Sequence, residues 1–301
     1  EWRVVREDHT PPLTGCRVSG AYGRRERPPA PEPLPGAGTI DSHTHLDACG
    51  CVTAEDVRAV MDRAAAVGVH TAVTVADDLD SARWVLTAAA ADPRVVAAVA
   101  LHPTRANVLD EAARAEIEKL AASPRVVAVG ETGLDYYWPE HDADCADPGV
   151  QREAFAWHID LAKRLGKPVM IHDRDAHDDV LRVLREEGAP EQVIFHCFSG
   201  DAELARVCAD AGYYMSFAGP VTFRNAVALR EAAVLAPAEL LLVETDAPFL
   251  TPHPHRGRAN EPYCLPWTVR GIAAARGVDA EVVAEATRAN AERVFRLGEL
   301  A

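Results

Sequence analysis

Several features that mark other protein classes are missing from this 301-residue sequence. No apolar run approaches the roughly 18 to 20 residues that a membrane-spanning helix needs, so the sequence predicts a soluble protein with no membrane partner. A positively charged stretch leading into an apolar segment, which is typical of a secretory signal, is not seen near the start. The chain begins at Glu1 rather than Met, however, so a processed start stays open.

The seven cysteines are an odd number, and they are scattered with no Cys-x-x-Cys pair. Such a set favours neither a disulfide framework nor a structural zinc knuckle, and it fits a reducing cytoplasm. The Gly-x-Ser-x-Gly motif and the phosphate-binding P-loop are also absent. Their absence removes the commonest serine hydrolases and nucleoside triphosphatases.

Positive charge is scarce. The sequence has 31 lysines and arginines against 46 aspartates and glutamates, a net charge of −15. At long range such a protein repels a polyanion, which argues against non-specific coating of duplex DNA. Bound divalent cations and a few local arginines can still set the field at one site, so an acidic enzyme can act on phosphodiesters.

Residues 1–38 differ from the rest of the chain. They contain seven prolines and an arginine cluster at Arg24, Arg25 and Arg27. Because proline fixes φ and removes backbone donors, this extension is predicted to be extended or wrapped over a surface rather than folded as a domain. A basic arm that touches nucleic acid is the less favoured interpretation. Residues 39–301 are predicted to form one domain.

From Thr39 onward, short β-branched apolar runs alternate with amphipathic stretches. Helices are expected between the runs, several of them ending at a glycine, with two more at 262–276 and 280–296. Eight strand–helix repeats predict a parallel sheet that right-handed crossovers close into a (β/α)8 TIM barrel. The predicted strands are 39–41, 70–76, 95–101, 126–130, 168–172, 192–196, 213–217 and 240–244.

Six residues of types that bind metals end five of these strands. Barrel enzymes place catalytic groups at the carboxyl ends of strands, so the six are expected to converge at one mouth. Each alone has an ordinary structural explanation, such as a histidine bonded to a backbone carbonyl, but the set predicts a binuclear centre. Mixed imidazole and carboxylate ligation suits Zn²⁺, Mn²⁺, Co²⁺ or Fe²⁺ and is less typical of Mg²⁺, which stays a candidate. The six are His43, His45, Glu131, His172, His196 and Asp246.

Distinct roles can be expected within this set. His43 and His45 share a strand face and can bind one cation, while His172 and His196, on neighbouring strands, can bind a second. Glu131 can offer one oxygen to each ion. Asp246 can both ligate the first ion and accept the proton of an attacking water, as a general base does.

Supporting residues are predicted around this centre. Glu244 is expected on the opposite strand face or against a histidine ligand, which it would orient; a plain salt bridge is the alternative. Cys197 is predicted to face away from the metals as a small buried hydrophobe. Contacts with an anionic substrate are predicted for Arg174, His102, Arg256, Arg258 and Asn260.

The segments IDSHTHLD, LHP, GETGLDYYW, IHDRDAHDDVL, FHCFSG and ETDAPFLTPHPHRGRANEP resemble, in order, the motifs of the TatD family of metal-dependent deoxyribonucleases. The resemblance runs from about Thr39 to Phe295. It implies a barrel of the metallo-dependent hydrolase type and metal-dependent hydrolysis of DNA, often as a 3′ to 5′ exonuclease on single strands. It also implies that His43, His45 and Asp246 hold the first ion, His172 and His196 the second, and that Glu131 bridges them.

Two alternatives stay open from the sequence. The same centre can hydrolyse a small cyclic amide, a lactone or a phosphotriester, because barrels of this kind host many reactions. A barrel that has lost catalysis and serves as a binding module is the alternative outside enzymes, and the retention of all six ligand types argues against it. No obligate protein partner is predicted.

Overall fold

A computed structural model describes residues 25–300 of the chain. Within them, parallel strands follow one another around a single sheet in chain order, as predicted for a (β/α)8 barrel. Each strand overlaps the apolar run that predicted it. The strands are β1 (Thr39–Thr44), β2 (Val69–Val75), β3 (Val95–Ala98), β4 (Val126–Asp135), β5 (Val169–Arg174), β6 (Val193–Phe195), β7 (Tyr214–Phe217) and β8 (Leu241–Val243).

Helices alternate with the strands and cover the outside of the barrel. No helix among the described residues is long and apolar enough to cross a membrane. Acidic side chains cap the N-terminal ends of several helices. Asp78, for example, accepts a hydrogen bond from the backbone N–H of Ser81. The helices are α1 (Ala54–Ala65), α2 (Leu79–Ala91), α3 (Glu111–Ala121), α4 (Pro148–Leu165), α5 (His177–Glu187), α6 (Ala202–Ala211), α7 (Val227–Leu235), α8 (Leu265–Arg276) and α9 (Ala280–Val294).

The core has two layers, as the alternation of side chains along a strand requires. Val73 and Val75 of β2 face the barrel interior, whereas Ala72 packs outward under the helices. Helix α9 closes the floor, where Ala291 and Val294 join the interior cluster. With the floor filled by apolar side chains, polar groups inside the barrel can reach water only at the opposite mouth.

The barrel closes between β1 and the segment that follows β8. The Asp246 N–H donates to the His43 carbonyl at 3.0 Å, and the His45 N–H donates to the Ala247 carbonyl at 2.7 Å. The buried Asp41 carboxylate ties the same seam, because it accepts hydrogen bonds from the backbone and the hydroxyl of Thr245. Closure therefore fixes the two ends of the sequence that carry three of the predicted ligands.

Two ligand-bearing strands depart from regular register. In β1, the three-residue step from Asp41 to Thr44 faces the two-residue step from Ala72 to Thr74. In β4, the step from Val129 to Thr132 faces only Val169 to Ile171. Irregularities of this kind turn side chains away from strict alternation. They include His43 in one strand and Glu131 in the other.

His158 of α4 is fully buried behind the mouth. Its Nε2 accepts a hydrogen bond from the Leu101 N–H, and its Nδ1 lies 3.1 Å from the Thr132 hydroxyl. These contacts join the residue before His102 to the residue after Glu131. Burial lowers the pKa of His158 to about 4, so the neutral ring is the form that supports the two strand ends.

Replacement of His158 by glutamine should flatten the acid dependence of stability. The folded pKa of about 4 lies below the ordinary 6.5, so the unfolded chain binds more protons between these values and stability falls as the pH drops through this window. In metal-free protein, the wild type should lose about 3 kcal/mol more than His158→Gln between these limits. Urea unfolding at a series of pH values measures the difference, and parallel curves would contradict it.

Candidate metal centre

The six predicted ligands lie together at the mouth, although they come from five strands. All are buried or nearly so. Their nitrogen and oxygen atoms form several groups that could hold a cation. Glu131, on β4, lies at the centre of the arrangement, because its two carboxylate oxygens face two different sets of side chains.

One set surrounds Oε2 of Glu131. This oxygen lies 3.4 Å from Nε2 of His43 and 3.7 Å from Nε2 of His45. The two imidazole nitrogens are 3.1 Å apart, and Oδ1 of Asp246 lies 3.7 and 3.6 Å from them. Three strands thus bring two imidazoles and two carboxylates to one point.

The second set surrounds Oε1 of Glu131. This oxygen lies 2.6 Å from Nδ1 of His172 and 2.9 Å from Nε2 of His196. His102 comes within 3.6 Å of the same oxygen. The ring of His196 also stacks on that of His43, with 3.8 Å between the ring centres, so the two sets are adjacent.

A carbonyl or carboxylate oxygen contacts the second nitrogen of three of the four histidines, whereas that of His43 lies 3.1 Å from the Met170 sulfur. Nδ1 of His45 lies 3.1 Å from the Val75 carbonyl, and Nδ1 of His196 lies 3.1 Å from Glu244. Nε2 of His172 lies 2.9 Å from Asp135. Such contacts fix the tautomer and orientation of a ligating imidazole. Glu244 therefore lies against a histidine ligand, which is one of the positions that the sequence left open for it.

The electrostatics of the cluster favour positive charge on His172 and His196. Burial alone would lower the pKa of His196, but Glu131 and Glu244 raise it well above the ordinary value. Burial is likewise outweighed at His172, where hydrogen bonds to Asp135 and Glu131 raise the pKa to about 9. Burial would raise the pKa of Glu131, yet His196 and the other imidazoles hold it well below the usual range. The Glu131 carboxylate is therefore ionised, and it attracts protons or cations.

This donor set fits divalent cations. Imidazole nitrogens and carboxylate oxygens lie within 4.8 Å of one another in each group, and together they suit Zn²⁺, Mn²⁺ or similar ions. His43, His45 and Glu131 can hold one ion, with Asp246 beside them. Glu131, His172 and His196 can hold a second. Since the imidazoles must be deprotonated to bind, uptake of metal releases protons.

The mouth opens into a pocket of about 440 Å³, a size typical of ligand sites. Arg174 lines one wall, and its guanidinium lies 4.0 Å from the ring centre of Tyr137. Arg256 also lines the pocket, with its guanidinium 4.7 Å from the centre of the Phe223 ring. His102 also lines the pocket. These are three of the five residues predicted to contact substrate.

The other two predicted substrate contacts lie outside the pocket lining. Nη1 of Arg258 points to the Arg27 carbonyl and lies 3.6 Å from Glu26. Asn260 is buried, and its amide donates to the backbone carbonyls of Thr245 and Phe249. These two hydrogen bonds satisfy the buried amide and hold the loop after β8 in place.

The expected orientation of Cys197 is wrong. Strand β6 ends at Phe195, so the alternation that would turn Cys197 away from His196 no longer applies. Cys197 has a positive φ of 41° and lines the pocket. Burial raises its pKa well above the ordinary value, which agrees with the expectation that this thiol is no nucleophile.

Sequence reasoning missed two carboxylates of the site. Asp135 is the last residue of β4 and contacts His172. Asp77 follows β2, lines the pocket and lies 3.6 Å from Nδ1 of His45. Asp77 directly follows an apolar run, the same signal that identified the six ligands, whereas Asp135 lies beyond the predicted run 126–130 and carried no such signal.

Glu131→Gln should abolish high-affinity binding at both sets, since one change removes an anionic oxygen from each. Loss of a residue that only hydrogen-bonds to a metal ligand lowers metal affinity about 10- to 100-fold, and loss of a bridging carboxylate should lower it more. Metal content by mass spectrometry and Zn²⁺ titration measure the effect. The exposed Glu239→Gln is the matched control. Wild-type metal content in Glu131→Gln would refute the bridging arrangement.

Comparison with known proteins identifies the same family that the sequence motifs resemble. The sequence model of the family described as "TatD related DNase" matches residues 40–296. An uncharacterized metal-dependent hydrolase, TatD, of Mycobacterium tuberculosis is 65% identical over 259 residues, which are 86% of this chain and 98% of the relative. A protein of Musicola paradisiaca named 3′-5′ ssDNA/RNA exonuclease TatD is 36% identical, over 81% of this chain and 93% of the relative.

Among solved structures, the TatD homologue YjjV of Escherichia coli K12 superposes with a TM-score of 0.78 at 28% identity. The match covers 86% of this chain and 98% of that protein. The likeness therefore spans the barrel and the loops at its mouth.

Proposed function

The chain belongs to the TatD family of metal-dependent hydrolases, and from this premise we propose that it is a deoxyribonuclease that hydrolyses phosphodiester bonds with two divalent ions. The proposed substrate is single-stranded DNA, degraded from its 3′ end. The family resemblance and the exonuclease name of the Musicola relative support this direction.

One observation carries the proposal. The two oxygens of Glu131 face separate groups of ligands, His43 with His45 and His172 with His196. A carboxylate between two such groups is suited to a pair of cations rather than to one. Paired cations are the usual device for in-line displacement at phosphorus, because they can stabilise both the attacking and the leaving oxygen.

Asp246 is the proposed general base. Divalent ions held at this mouth would supply Lewis acidity toward a phosphoryl oxygen and would acidify a water molecule. Burial would raise the pKa of Asp246, but the His45 hydrogen bond and the neighbouring imidazoles lower it. Its carboxylate is therefore ionised and able to accept a proton at Oδ. Its backbone is left-handed, with a φ of 51°, and its Oδ1 lies 3.7 and 3.6 Å from Nε2 of His43 and His45.

The walls of the pocket are suited to hold an anionic chain. Arg174 and Arg256 present guanidinium groups, which pair with phosphate oxygens in a planar fork. Trp138 and Phe223 add aromatic surface, on which unpaired bases stack irrespective of sequence. Arginines beside aromatic rings favour a single strand over a duplex, whose bases are already stacked.

Asp246→Asn should nearly abolish hydrolysis while the fold is retained. Asparagine has the same shape and tolerates a left-handed backbone, but it cannot take the proton. The expected fall in kcat is about 10²- to 10⁴-fold, measured as the rate of stepwise shortening of a 5′-labelled single-stranded oligonucleotide with Mn²⁺. The exposed Asp279→Asn, at the start of α9, should keep wild-type activity. Full activity in Asp246→Asn would remove this residue from the mechanism.

A panel of small cyclic amides, lactones and phosphotriesters tests the alternative substrate class, which the net charge of −15 favours. The wild type should shorten a single-stranded oligonucleotide stepwise from its 3′ end and should leave the panel largely intact. Hydrolysis of a panel member without nuclease activity in Mn²⁺ or Mg²⁺ would transfer the proposal to that class.

A further inference from the structure

Residues 25–38, called the strap below, lie along the barrel and end at the rim of the pocket. Near the floor, the Leu34 N–H donates to the Val67 carbonyl, and the Leu34 side chain is buried. Farther along, Arg270 of α8 donates to the carbonyls of Glu32 and Pro33. The strap is therefore attached to the barrel on its way to the mouth.

At the mouth the attachment becomes dense. The Tyr263 hydroxyl donates to the Pro28 carbonyl at 2.6 Å, and the Ala259 N–H donates to the Glu26 carbonyl at 3.2 Å. Arg27 lies 2.6 Å from Glu261, a buried carboxylate. All three barrel partners belong to the segment after β8, which also carries Arg256.

Glu261 serves as an ionic anchor. Its second oxygen lies 2.9 Å from Arg63 of α1, so a single buried carboxylate joins the strap to a helix of the barrel. Burial strengthens such a pair relative to an exposed one and makes the loss of one partner costly. The five prolines of the strap also reduce the entropy that must be lost to hold it in one conformation.

The strap places Arg25 on the pocket. Arg25 precedes the anchored Glu26 and lines the same cavity as Arg174 and Arg256. In a pocket that also contains the carboxylates of Asp77 and Asp173, a third guanidinium changes the balance of charge. The family match begins at residue 40, so this cation comes from outside the matched barrel.

We propose that the strap is a fixed wall of the substrate site and that Arg25 binds a backbone phosphate of single-stranded DNA other than the phosphate being hydrolysed. The inference rests on the proposed nuclease function for its substrate class. The strap is anchored to the loop after β8, close in sequence to Arg256 and Gly257, which also line the pocket. This position favours a phosphate away from the metals. Arg25 therefore acts in binding and positioning.

Binding of a fluorescein-labelled dodecathymidylate tests the proposal. Fluorescence anisotropy with Mn²⁺, in an Asp246→Asn background that prevents cleavage, gives Kd over a range of salt concentrations. Arg25→Gln should raise Kd roughly fivefold at low salt, and Arg25→Lys should recover part of the loss. The slope of log Kd against log salt should fall by about 0.7, the value for one phosphate contact on a single strand. The effect should be smaller on a dithymidylate.

Two comparisons make the test specific. Arg58→Gln removes an exposed arginine of α1 that does not line the pocket, and it should leave Kd and the salt slope near wild-type values. Tyr263→Phe removes the hydrogen bond to Pro28 without changing any charge. It should weaken binding when Arg25 is present and have little further effect in Arg25→Gln, because the anchor acts through Arg25.

Equal Kd values and salt slopes for Arg25→Gln and Arg58→Gln would overturn the proposal, even if the wild type proves to be an active nuclease. A selective loss of affinity in Arg25→Gln would support it, even if the wild type binds the oligonucleotide without hydrolysing it. In that second case the proposed nuclease function fails and the phosphate contact stands. No binding of the oligonucleotide by any form would refute both.

Discussion

The Glu131 carboxylate is buried, and its two oxygens face different groups of histidine side chains. A buried charge is tolerated only when partners compensate for lost hydration, and here the imidazoles of His43, His172 and His196 do so. The dependence is mutual. The stacked rings of His43 and His196 would repel each other if both were protonated, unless a negative charge lay beside them. Cations at this centre would replace the protons and meet the same demand.

A parallel barrel is the architecture that can assemble this centre from distant parts of the sequence. All strands point the same way, so every carboxyl end reaches one mouth. The hydrogen bonds of Asp246 and Ala247 to β1 then join the last ligand to the first two. Gly133 allows β4 to approach β5 closely, since a Cβ at this position would overlap the His172 carbonyl. Metal ligation therefore depends on backbone closure as much as on side-chain chemistry.

The strands and the convergence of the six ligands could be predicted because both follow from local patterns. Apolar β-branched runs identify strands, and the polar residue that ends each run is carried to the mouth by topology alone. Orientation at strand ends could not be predicted in the same way. Cys197 lies just past the end of β6, and Glu131 lies in a register shift. Simple alternation fails at Cys197, because ladder hydrogen bonding with the neighbouring strands decides where regular pairing stops, whereas the position of Glu131 was predicted from the apolar run before it.

The roles of two residues in the loop after β8 also could not be predicted from the sequence. Arg258 and Asn260 have the residue types of a substrate site, yet one faces the strap and the other holds backbone carbonyls. A residue type indicates which bonds a side chain can make, whereas the fold decides which partner is nearest. The partner of Arg27 could not be predicted either, because it is a carboxylate 234 positions away. Arg24, of the same arginine cluster, lies outside the described residues.

An acidic protein that acts on a polyanion must confine its positive charge to the place where it is needed. With a net charge of −15, long-range attraction cannot bring DNA to this surface, and binding must come from short-range contacts. Arg174, at the end of β5, and Arg256, in the loop after β8, face the pocket from the barrel itself. The strap adds a cation without altering any ligand-bearing strand, and its prolines and the Glu261 anchor limit the entropy lost on binding. The same acidic background keeps the protein from other nucleic-acid surfaces, so selectivity and the local arginines have a common electrostatic origin.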